Sequence, residues 1–453
     1  MSGNPDASSP LRLLPGTILG ALILGWPAYW NGYPLVYADT SNYIGQVKLR
    51  FIGWTAPPFY SAFLSATDLG LTLWGPMLVQ ALIAAGLVVI ALDQAGLRRW
   101  WAGPVACAAL ALLTSLPWLA SQVSADFFTG ITVLSLALLG FGSLARWQRI
   151  VVLLVAIPAI LAHQSHVPLA LGLLAVGCVL RWWQDGRRAS GQVFRRLAPA
   201  PLIALAIAFA VNTFGLGLPS ISPFGNIILA ARMVADGTAV GYLREACPRE
   251  RYKLCNHLEE ISSGSAQVML WYRPAMWDAM GGHRAWNDEA RHIVRGTIMH
   301  DPMGVLAALV NNGVRQFAAL QTGESIKPWP KDDGPRPLIA RFFPAELVAF
   351  DTARQQRGLL VQDVQPFEAI HVPVAWLGLV GLLACAWTWR RDRVVLGLCV
   401  MVLMAAIGNA LLTGGLSEVL NRYAVRLSWL LSFMPCVVVA ARYSAVTSSD
   451  RLG

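Results

Sequence analysis

Charged side chains are scarce in this chain of 453 residues. They account for 13% of the sequence, whereas a soluble domain carries roughly 25%. Hydrophobic residues account for 56%, and the mean hydropathy is +0.52. This composition excludes an ordinary soluble domain and predicts an all-α, polytopic protein embedded in a lipid bilayer.

Several functional motifs are also missing. The sequence has no Gly-rich loop ending in Lys-Ser or Lys-Thr, which argues against an ATP-driven pump, and no Gly-x-Ser-x-Gly elbow, which removes the simplest serine hydrolase. It has no internal repeat and no symmetry between halves, which counts against a secondary transporter. A lipid or solute transporter would also carry charges inside its helix bundle, whereas the predicted spans are nearly free of them, with Asp93 close to a cytoplasmic end.

The formal charge of +10 does not indicate a nucleic-acid partner. The arginines cluster in short runs between apolar segments, as they do in the cytoplasmic loops of membrane proteins. The first apolar segment, Leu11 to Trp30, has no small-x-small cleavage site before Asn31, so we predict a retained helix and not a signal peptide.

Apolar runs of about 20 residues predict eight membrane spans. They are 11–30, 76–96, 101–120, 127–145, 198–216, 371–389, 394–413 and 425–441.

The run 150–183 is too long for one span, and His163 and His166 lie near its middle. Arginines flank it on both sides, so both flanks should be cytoplasmic and the chain should cross an even number of times. We therefore predict two short helices or a re-entrant hairpin here, with the histidines at the tip. That makes about ten crossings of a bacterial inner membrane, with both termini cytoplasmic.

Three regions follow from this topology. Residues 1–216 form an N-terminal bundle with a long first outer loop, 31–75. Residues 217–370 are too polar to span and are predicted to form a mostly helical periplasmic surface domain, with a helical pattern at Asn287 to Met299. Residues 371–453 supply the last transmembrane helices.

The first outer loop holds Asp39, the residue that we expect to be the chemical centre. The alternative is that Asp39 caps a helix beginning at Thr40. Residues 40–52 have near-helical apolar spacing, so they are predicted to lie in the membrane interface with Lys48 and Arg50 exposed.

A first helix followed by an outer acidic residue and a surface helix resembles the membrane glycosyltransferases of the C superfamily (GT-C fold). Further stretches that fit the resemblance are 54–64, Ser124 to Phe128 around Asp126, and Asn421-Arg422-Tyr423. The resemblance covers the topology over most of the chain.

The resemblance implies a polyprenyl-phosphate-linked sugar as donor and a glycan, lipid or protein acceptor. Asp39 would be the base, or would position the acceptor hydroxyl. Arg422 would stabilise the leaving phosphate, with Lys48, Arg50 and Arg232 as weaker candidates. The alternative for Arg422 is an interfacial anchor beside Tyr423.

No cofactor is assigned, although a divalent metal ion stays open. Many relatives carry a second acid beside the first, whereas Ala38 and Thr40 flank Asp39 here, which makes a tightly held metal less favourable. Asp126 could supply a second oxygen ligand. Its alternative role is to cap the helix predicted at 127–145.

His163 and His166 would share a helix face, but two histidines do not make a zinc site. They are candidates for phosphate binding or acid–base chemistry, with polar packing as the alternative. Glu418 is predicted to be a solvated loop residue, and the alternative is that it faces the site. Cys247 and Cys255 are predicted to form a disulfide if their region faces an oxidising compartment.

The nearest rival function is an envelope polysaccharide polymerase or ligase, which would not need Asp39. It would depend on arginine and histidine in the long loop, such as Arg232, Arg273, His283 and Arg284.

Overall fold

The structure, a computed structural model, describes residues 9–261, 265–271, 274–324 and 326–449. The secondary structure of these residues is helical and includes no strand; Leu35 and Gln122 form an isolated parallel bridge. In chain order the α-helices are α1 (Pro10–Leu24), α2 (Trp26–Asn31), α3 (Ala38–Lys48), α4 (Pro58–Asp68), α5 (Trp74–Gln94), α6 (Ala102–Leu113), α7 (Leu116–Ser121), α8 (Phe128–Phe141), α9 (Arg146–Leu161), α10 (His166–Asp185), α11 (Arg187–Leu197), α12 (Pro199–Leu216), α13 (Gly225–Ala235), α14 (Thr238–Ala246), α15 (Leu258–Ile261), α16 (Ala266–Trp271), α17 (Pro274–Met280), α18 (Gly282–His300), α19 (Pro302–Ala318), α20 (Arg336–Phe342), α21 (Leu347–Thr352), α22 (Leu360–Thr388), α23 (Arg393–Ala410) and α24 (Asn421–Ser449). Three short 3₁₀ segments, Ala125–Phe127, Lys253–His257 and Pro344–Glu346, and one π-helical turn, Leu411–Gly415, complete the helical elements.

The multi-pass membrane fold is confirmed by the length and hydropathy of the helices. Seven helical segments of the described residues are long and apolar enough to cross a bilayer. They are Pro10–Asn31, Trp74–Gln94, His166–Asp185, Pro199–Leu216, Leu360–Thr388, Arg393–Gly415 and Asn421–Ser444.

Three of the ten predicted spans are short helices: α6, α8 and α9 have 12, 14 and 16 residues. A short helix was expected for α9, whereas α6 and α8 are shorter than the predicted spans 101–120 and 127–145. The predicted span 101–120 is interrupted, since α6 ends at Leu113 and a new helix starts at Leu116. Pro117 lies in the first turn of this new helix, where a proline is tolerated, whereas inside a continuous helix it would break a hydrogen bond. The run 150–183 does form two helices, α9 and α10, joined at the histidine turn, and the second is long enough to span.

A further candidate lies in the region predicted to be too polar to cross. Helices α18 and α19 together pass the length and hydropathy test, but they meet at an angle of 103°, so they form either a broken span or a re-entrant loop. The bend has a local cause. Asp301 accepts a hydrogen bond from the Gly304 amide at 2.8 Å, and Pro302 opens α19. The described residues therefore contain seven or eight candidate spans.

The chain folds into two compact units. The first comprises the described residues of Met1–Ala208, Leu320–Ala406 and Val425–Gly453, and the second comprises Phe209–Ala319 and Ile407–Ala424. The first includes all of α1 to α11, α20 to α22 and most of α24. The division into three regions at 216 and 370 stays a prediction.

In the first unit, α8 and α24 approach each other closely at Gly130. A Cβ atom there would lie 2.5 Å from the Trp429 indole nitrogen and 2.9 Å from the Arg426 carbonyl oxygen. Only glycine fits this contact without displacing α24. The close approach brings the start of α24 beside the start of α8, where the candidate site lies.

In the second unit, the π-helical turn packs on α19. A Cβ atom on Gly414 would lie 2.6 Å from the Asn312 carbonyl oxygen and 2.5 Å from the Gln316 Cβ. In the same unit Cys247 and Cys255 form a disulfide, with their Cα atoms 5.7 Å apart.

Candidate functional site

The segment that leads to Asp39 is held by distant parts of the first unit. The Leu35 amide donates to the Ser121 carbonyl and the Val123 amide donates to the Leu35 carbonyl, both at 2.9 Å. The Gln355 side chain accepts from the Val36 amide at 3.1 Å and donates to the Val36 carbonyl at 2.8 Å. These bonds satisfy backbone groups that no regular helix or sheet satisfies, so the segment has a fixed path.

Helix α3 begins at Ala38, which places Asp39 in its first turn. Tyr37 occupies the cap position, and its amide donates to Thr40 Oγ1 at 2.9 Å. The interpretation of Asp39 as the cap of a helix starting at Thr40 is therefore wrong. The half-buried Asp39 lies where the positive end of the helix dipole interacts favourably with a carboxylate.

Thr40 joins this helix start to the turn before α8. Its hydroxyl donates to the Val123 carbonyl oxygen at 2.9 Å, and both residues are fully buried. Asp126 follows three residues later in the chain. The two candidate carboxylates thus belong to backbone segments that are hydrogen-bonded to each other.

An aromatic layer supports this junction. The rings of Tyr43 and Tyr60 lie 4.5 Å apart, and Tyr60 donates to Gln80 Oε1 at 2.7 Å. Burial raises the pKa of Tyr60 well above its ordinary value, and the negative charge of Asp126 raises it further. Tyr60 is therefore a neutral packing and hydrogen-bonding group, not a proton donor for chemistry near neutral pH.

Asp126 forms a buried ion pair with Arg426. Arg426 Nη1 lies 2.8 Å from Asp126 Oδ1, and the two side chains are 0% and 5% exposed. Asp126 does not cap α8, because Phe127 occupies the cap position of that helix, and Ser124 caps the preceding 3₁₀ segment by accepting from the Asp126 amide at 3.3 Å. The pair instead compensates two charges that would be costly if buried alone.

Arg426 is the functional candidate that the sequence analysis missed. It lies inside the predicted span 425–441, so the expectation of spans nearly free of charge was wrong at this position. The signal was present in the sequence: an arginine one turn beyond Arg422 enters a helix that otherwise continues as an apolar run. An ionisable residue at such a place is a functional candidate by default.

The hydrogen-bond network continues from Arg426 to the histidine turn. Arg426 Nη2 donates to Ser165 Oγ at 3.1 Å, and Ser165 Oγ lies 2.8 Å from His163 Nδ1. The Ser165 amide also donates to His163 Nδ1 at 3.2 Å, so this nitrogen accepts and the proton is on Nε2 in the neutral ring. Asp126, Arg426, Ser165 and His163 thus form one connected chain.

His166 is packed more completely than His163. Its Nδ1 lies 2.8 Å from the Ala159 carbonyl oxygen, which can only accept, and its Nε2 lies 2.7 Å from Thr129 Oγ1. The ring is fully buried. Because both nitrogens are used, this arrangement favours the polar-packing interpretation for His166.

Two basic residues near α3 behave differently from each other. Lys48 was predicted to be exposed, but its ammonium lies 3.1 Å from the fully buried Asp68 carboxylate. Arg50 is exposed and follows the end of α3 with φ of 56°, in the left-handed region that terminates the helix. Helix α3 therefore ends at Lys48, four residues before the predicted end.

Glu346 is a second residue that the sequence did not single out. It accepts from the Tyr33 hydroxyl at 2.8 Å and from the Leu73 amide at 3.1 Å, and it also accepts from Thr72 Oγ1. Burial and this carboxylate raise the pKa of Tyr33. Glu346 fixes both ends of the first outer loop, and no local sequence pattern indicates that role.

In the second unit, Arg232 is bound by two carboxylates. Its Nη2 lies 2.7 Å from Asp236 Oδ1 and its Nη1 lies 3.0 Å from Glu418 Oε1, while Asn312 donates to Asp236 at 2.9 Å. Glu418 is only 8% exposed, so its prediction as a solvated residue was wrong. These contacts suit Arg232 to holding helices together more than to binding a substrate phosphate.

Arg422, also in the second unit, is half-buried. Its guanidinium stacks over the Tyr423 ring, 4.7 Å from the centroid, and Nη2 donates to the Tyr423 hydroxyl at 3.0 Å.

Of the long-loop residues on which a polymerase would depend, Arg284 donates to the Leu216 carbonyl at 2.8 Å and His283 lies 5.3 Å from the Trp277 ring. Arg273 lies outside the described residues.

The residues present do not fit a resident divalent metal ion. Among the described residues, no group of three or more His, Cys, Asp or Glu side chains converges to hold one. Asp126, the predicted second ligand, faces a guanidinium that already supplies the positive charge. A hard cation needs several oxygen ligands, so no step of a reaction is derived through a metal here.

Comparisons of the chain with models of known protein families, with curated proteins and with solved structures found no match.

Proposed function

We propose that this protein is an integral membrane glycosyltransferase that moves a sugar from a polyprenyl-phosphate donor to an envelope glycan, lipid or protein. The observation that supports the proposal best is the junction of α3 with the turn before α8. A half-buried carboxylate, Asp39, lies at one end of a membrane helix bundle, next to a backbone segment that carries the buried Asp126–Arg426 pair.

In the proposed reaction, Asp39 accepts the proton of an acceptor hydroxyl. The acceptor oxygen then bonds to the anomeric carbon of the sugar while the bond from that carbon to the phosphate oxygen breaks. The electron pair of that bond leaves with the polyprenyl phosphate, whose growing charge needs a cation. Arg422 keeps this role in the proposal because a guanidinium pairs with phosphate through two hydrogen bonds.

In this proposal Asp126 does not touch the reacting atoms; it helps to position Asp39. Its carboxylate is engaged by Arg426, which connects to Ser165 and His163. A rigid, charge-compensated network of this kind holds the start of α8 in place. It thereby holds Val123, the acceptor for Thr40, and so sets the orientation of the helix start that carries Asp39.

The proposed orientation places Asp39 on the periplasmic side of a bacterial inner membrane and both termini in the cytoplasm. In this orientation α18 and α19 form a re-entrant loop, and the seven other candidate spans together with the shorter helices α6, α8 and α9 make ten crossings. The arginine-rich connections then face the cytoplasm.

The test is transfer from radiolabelled polyprenyl-phosphate sugars into endogenous glycolipid by membranes that carry the protein. Asp39→Asn should abolish transfer at equal expression, because the amide cannot accept the proton. The matched control is Asp351→Asn, which removes a carboxylate that pairs with Arg336 at the surface and should leave transfer intact. Undiminished transfer by Asp39→Asn would refute the assigned role of Asp39.

A lipid or solute transporter is the second candidate, and Arg426 favours it. The argument against a transporter depended on spans without charges, yet Arg426 and Asp126 form a buried pair at the start of a candidate span. Proteoliposomes that hold the purified chain would accumulate or flip a labelled substrate without changing it covalently if this alternative is correct. The polymerase alternative is weaker, since Arg232 is already bound by Asp236 and Glu418.

A further inference from the structure

Helix α19 has the reverse of the polarity expected for a helix on a water-facing surface. In a soluble protein the apolar stripe of a helix faces the core and its polar residues face water. The buried residues of α19 are instead Asn312, Gly313 and Gln316, two of which carry an amide side chain. Four large apolar side chains are between 48% and 70% exposed. They follow helical spacing and form the apolar face of α19: Met303, Leu306, Val310 and Val314.

The buried amides of α19 are hydrogen-bonded within the second unit. Gln316 Nε2 donates to the Leu420 carbonyl oxygen at 2.7 Å, and the Leu420 amide donates to Gln316 Oε1 at 2.9 Å. Asn312 Nδ2 lies 2.9 and 3.1 Å from the two carboxylate oxygens of Asp236. Asn and Gln side chains join neighbouring helices in this way inside membranes. These bonds fix the side of α19 that faces the protein, so its apolar face is held outward.

The π-helical turn fixes the level of α19 relative to the bilayer. This turn, Leu411–Gly415, ends the candidate span Arg393–Gly415. A Cβ atom on Gly415 would lie 2.9 Å from Leu309 Cγ, and a Cβ atom on Gly313 would lie 2.6 Å from Leu411 Cδ2. Helix α19 therefore packs directly on the end of a span. Because a span ends where the hydrocarbon meets the headgroups, α19 lies at that level.

Helix α18 has the ordinary polarity, so the two helices differ. Its buried residues include Trp286 and Ile293, whereas Arg291 and Arg295 are exposed. A charged face of this kind is costly in hydrocarbon, which excludes α18 from the acyl chains. The polarity reverses at the bend of 103° between the helices, where α19 starts after Asp301. The bend therefore marks the boundary between water and lipid.

Polar residues border the apolar face of α19 on one side. Asn311 and Arg315 are exposed, one helical turn apart, and each directly follows a valine of that face. A helix in the membrane interface carries such residues along the margin of its apolar face. There a long basic side chain reaches the phosphates while its stem stays among the tails. This border fits a helix that enters the lipid by one face.

We propose that the apolar face of α19 is a lipid-contact surface that inserts among the acyl chains of one leaflet, while α18 stays outside them. The loop that the two helices form then enters the membrane only through α19. The level of the helix and its basic border favour lipid over a second copy of this chain as the partner. The proposal is independent of the glycosyltransferase function, since it uses none of the residues assigned to the reaction.

The test places a nitroxide spin label on single introduced cysteines of the full-length protein in dilute phosphatidylcholine vesicles. Cys178→Ala and Cys436→Ala remove the free cysteines that are not buried, and the Cys247–Cys255 disulfide stays. Oxygen concentrates among acyl chains, whereas a nickel chelate stays in water. The label at Val310→Cys should relax more with oxygen. The label at Arg295→Cys, the matched control on α18, should show the reverse ratio.

A stronger response to the nickel chelate at Val310→Cys would show that the apolar face lies in water and would overturn the proposal. An immobile label with a weak response to both relaxants would show that protein covers the face, which would overturn lipid as the partner. A label at Arg295→Cys that responds mainly to oxygen would contradict the boundary at the bend. If Val310→Cys does not fold, Leu306→Cys reports on the same face with the same outcomes.

Discussion

Removing Arg426 should destabilise the protein more than removing any exposed charge. Arg426 is fully buried, and its guanidinium pairs with Asp126 at 2.8 Å and donates to Ser165 at 3.1 Å. In Arg426→Gln the Asp126 carboxylate would stay buried without its cation. Removing one partner of a buried pair costs about 3–5 kcal/mol, which corresponds to at least about a hundredfold in the unfolding equilibrium.

The assay is equilibrium unfolding in mixed micelles, followed by the fluorescence of the 18 tryptophans. The single variant Asp126→Asn should lose a similar amount of unfolding free energy, because it leaves the buried Arg426 guanidinium without its carboxylate. The double variant Asp126→Asn with Arg426→Gln removes both charges, so it should lose less than the sum of the single variants by about 2 kcal/mol or more.

Arg422→Gln is the matched control, one helical turn earlier in α24. Its guanidinium is half-buried and stacks on Tyr423, so its loss should cost less than about 1 kcal/mol. Equal losses for Arg422→Gln and Arg426→Gln, or strictly additive losses at Asp126 and Arg426, would refute the reasoning that the pair is buried and coupled.

Three further predictions concern other contacts of the two units. Lys48→Met should lose about 3 kcal/mol of unfolding free energy, because it leaves the fully buried Asp68 without its cation; Lys48→Arg should restore most of that loss. Burial raises the pKa of Tyr60 in the folded protein. The neutral phenol therefore contributes stability below the unfolded pKa of about 10, and this contribution is lost as the pH rises beyond it. Between about pH 8 and about pH 11, the free energy of unfolding should decrease less for Tyr60→Phe than for the wild type. Cys247→Ser opens a loop whose ends are eight residues apart; hydrogen exchange should show that the second unit opens more easily around Cys255, by about 2.5 kcal/mol.

Local features of the sequence were enough to predict a multi-pass membrane protein and the approximate position of most of its helices. Apolar runs, arginine clusters and the position of the histidine turn are local properties, so 150–183 was predicted as two short helices or a re-entrant hairpin. Two helices joined at the histidine turn are found, although α10 is long enough to span. Breaks and bends within an apolar run were harder to predict. The break before Leu116 shortened a predicted span. The Asp301-Pro302 pair bends α18 against α19 in a region that was predicted to stay at the surface.

Which charged side chains pair with each other became visible in the folded chain. Asp126 and Arg426 are 300 residues apart, and Arg232 and Glu418 are 186 residues apart. A single sequence shows each residue type but not the contact that compensates its charge. In an apolar bundle such a contact makes a charged side chain, for example Arg232, a buried structural element.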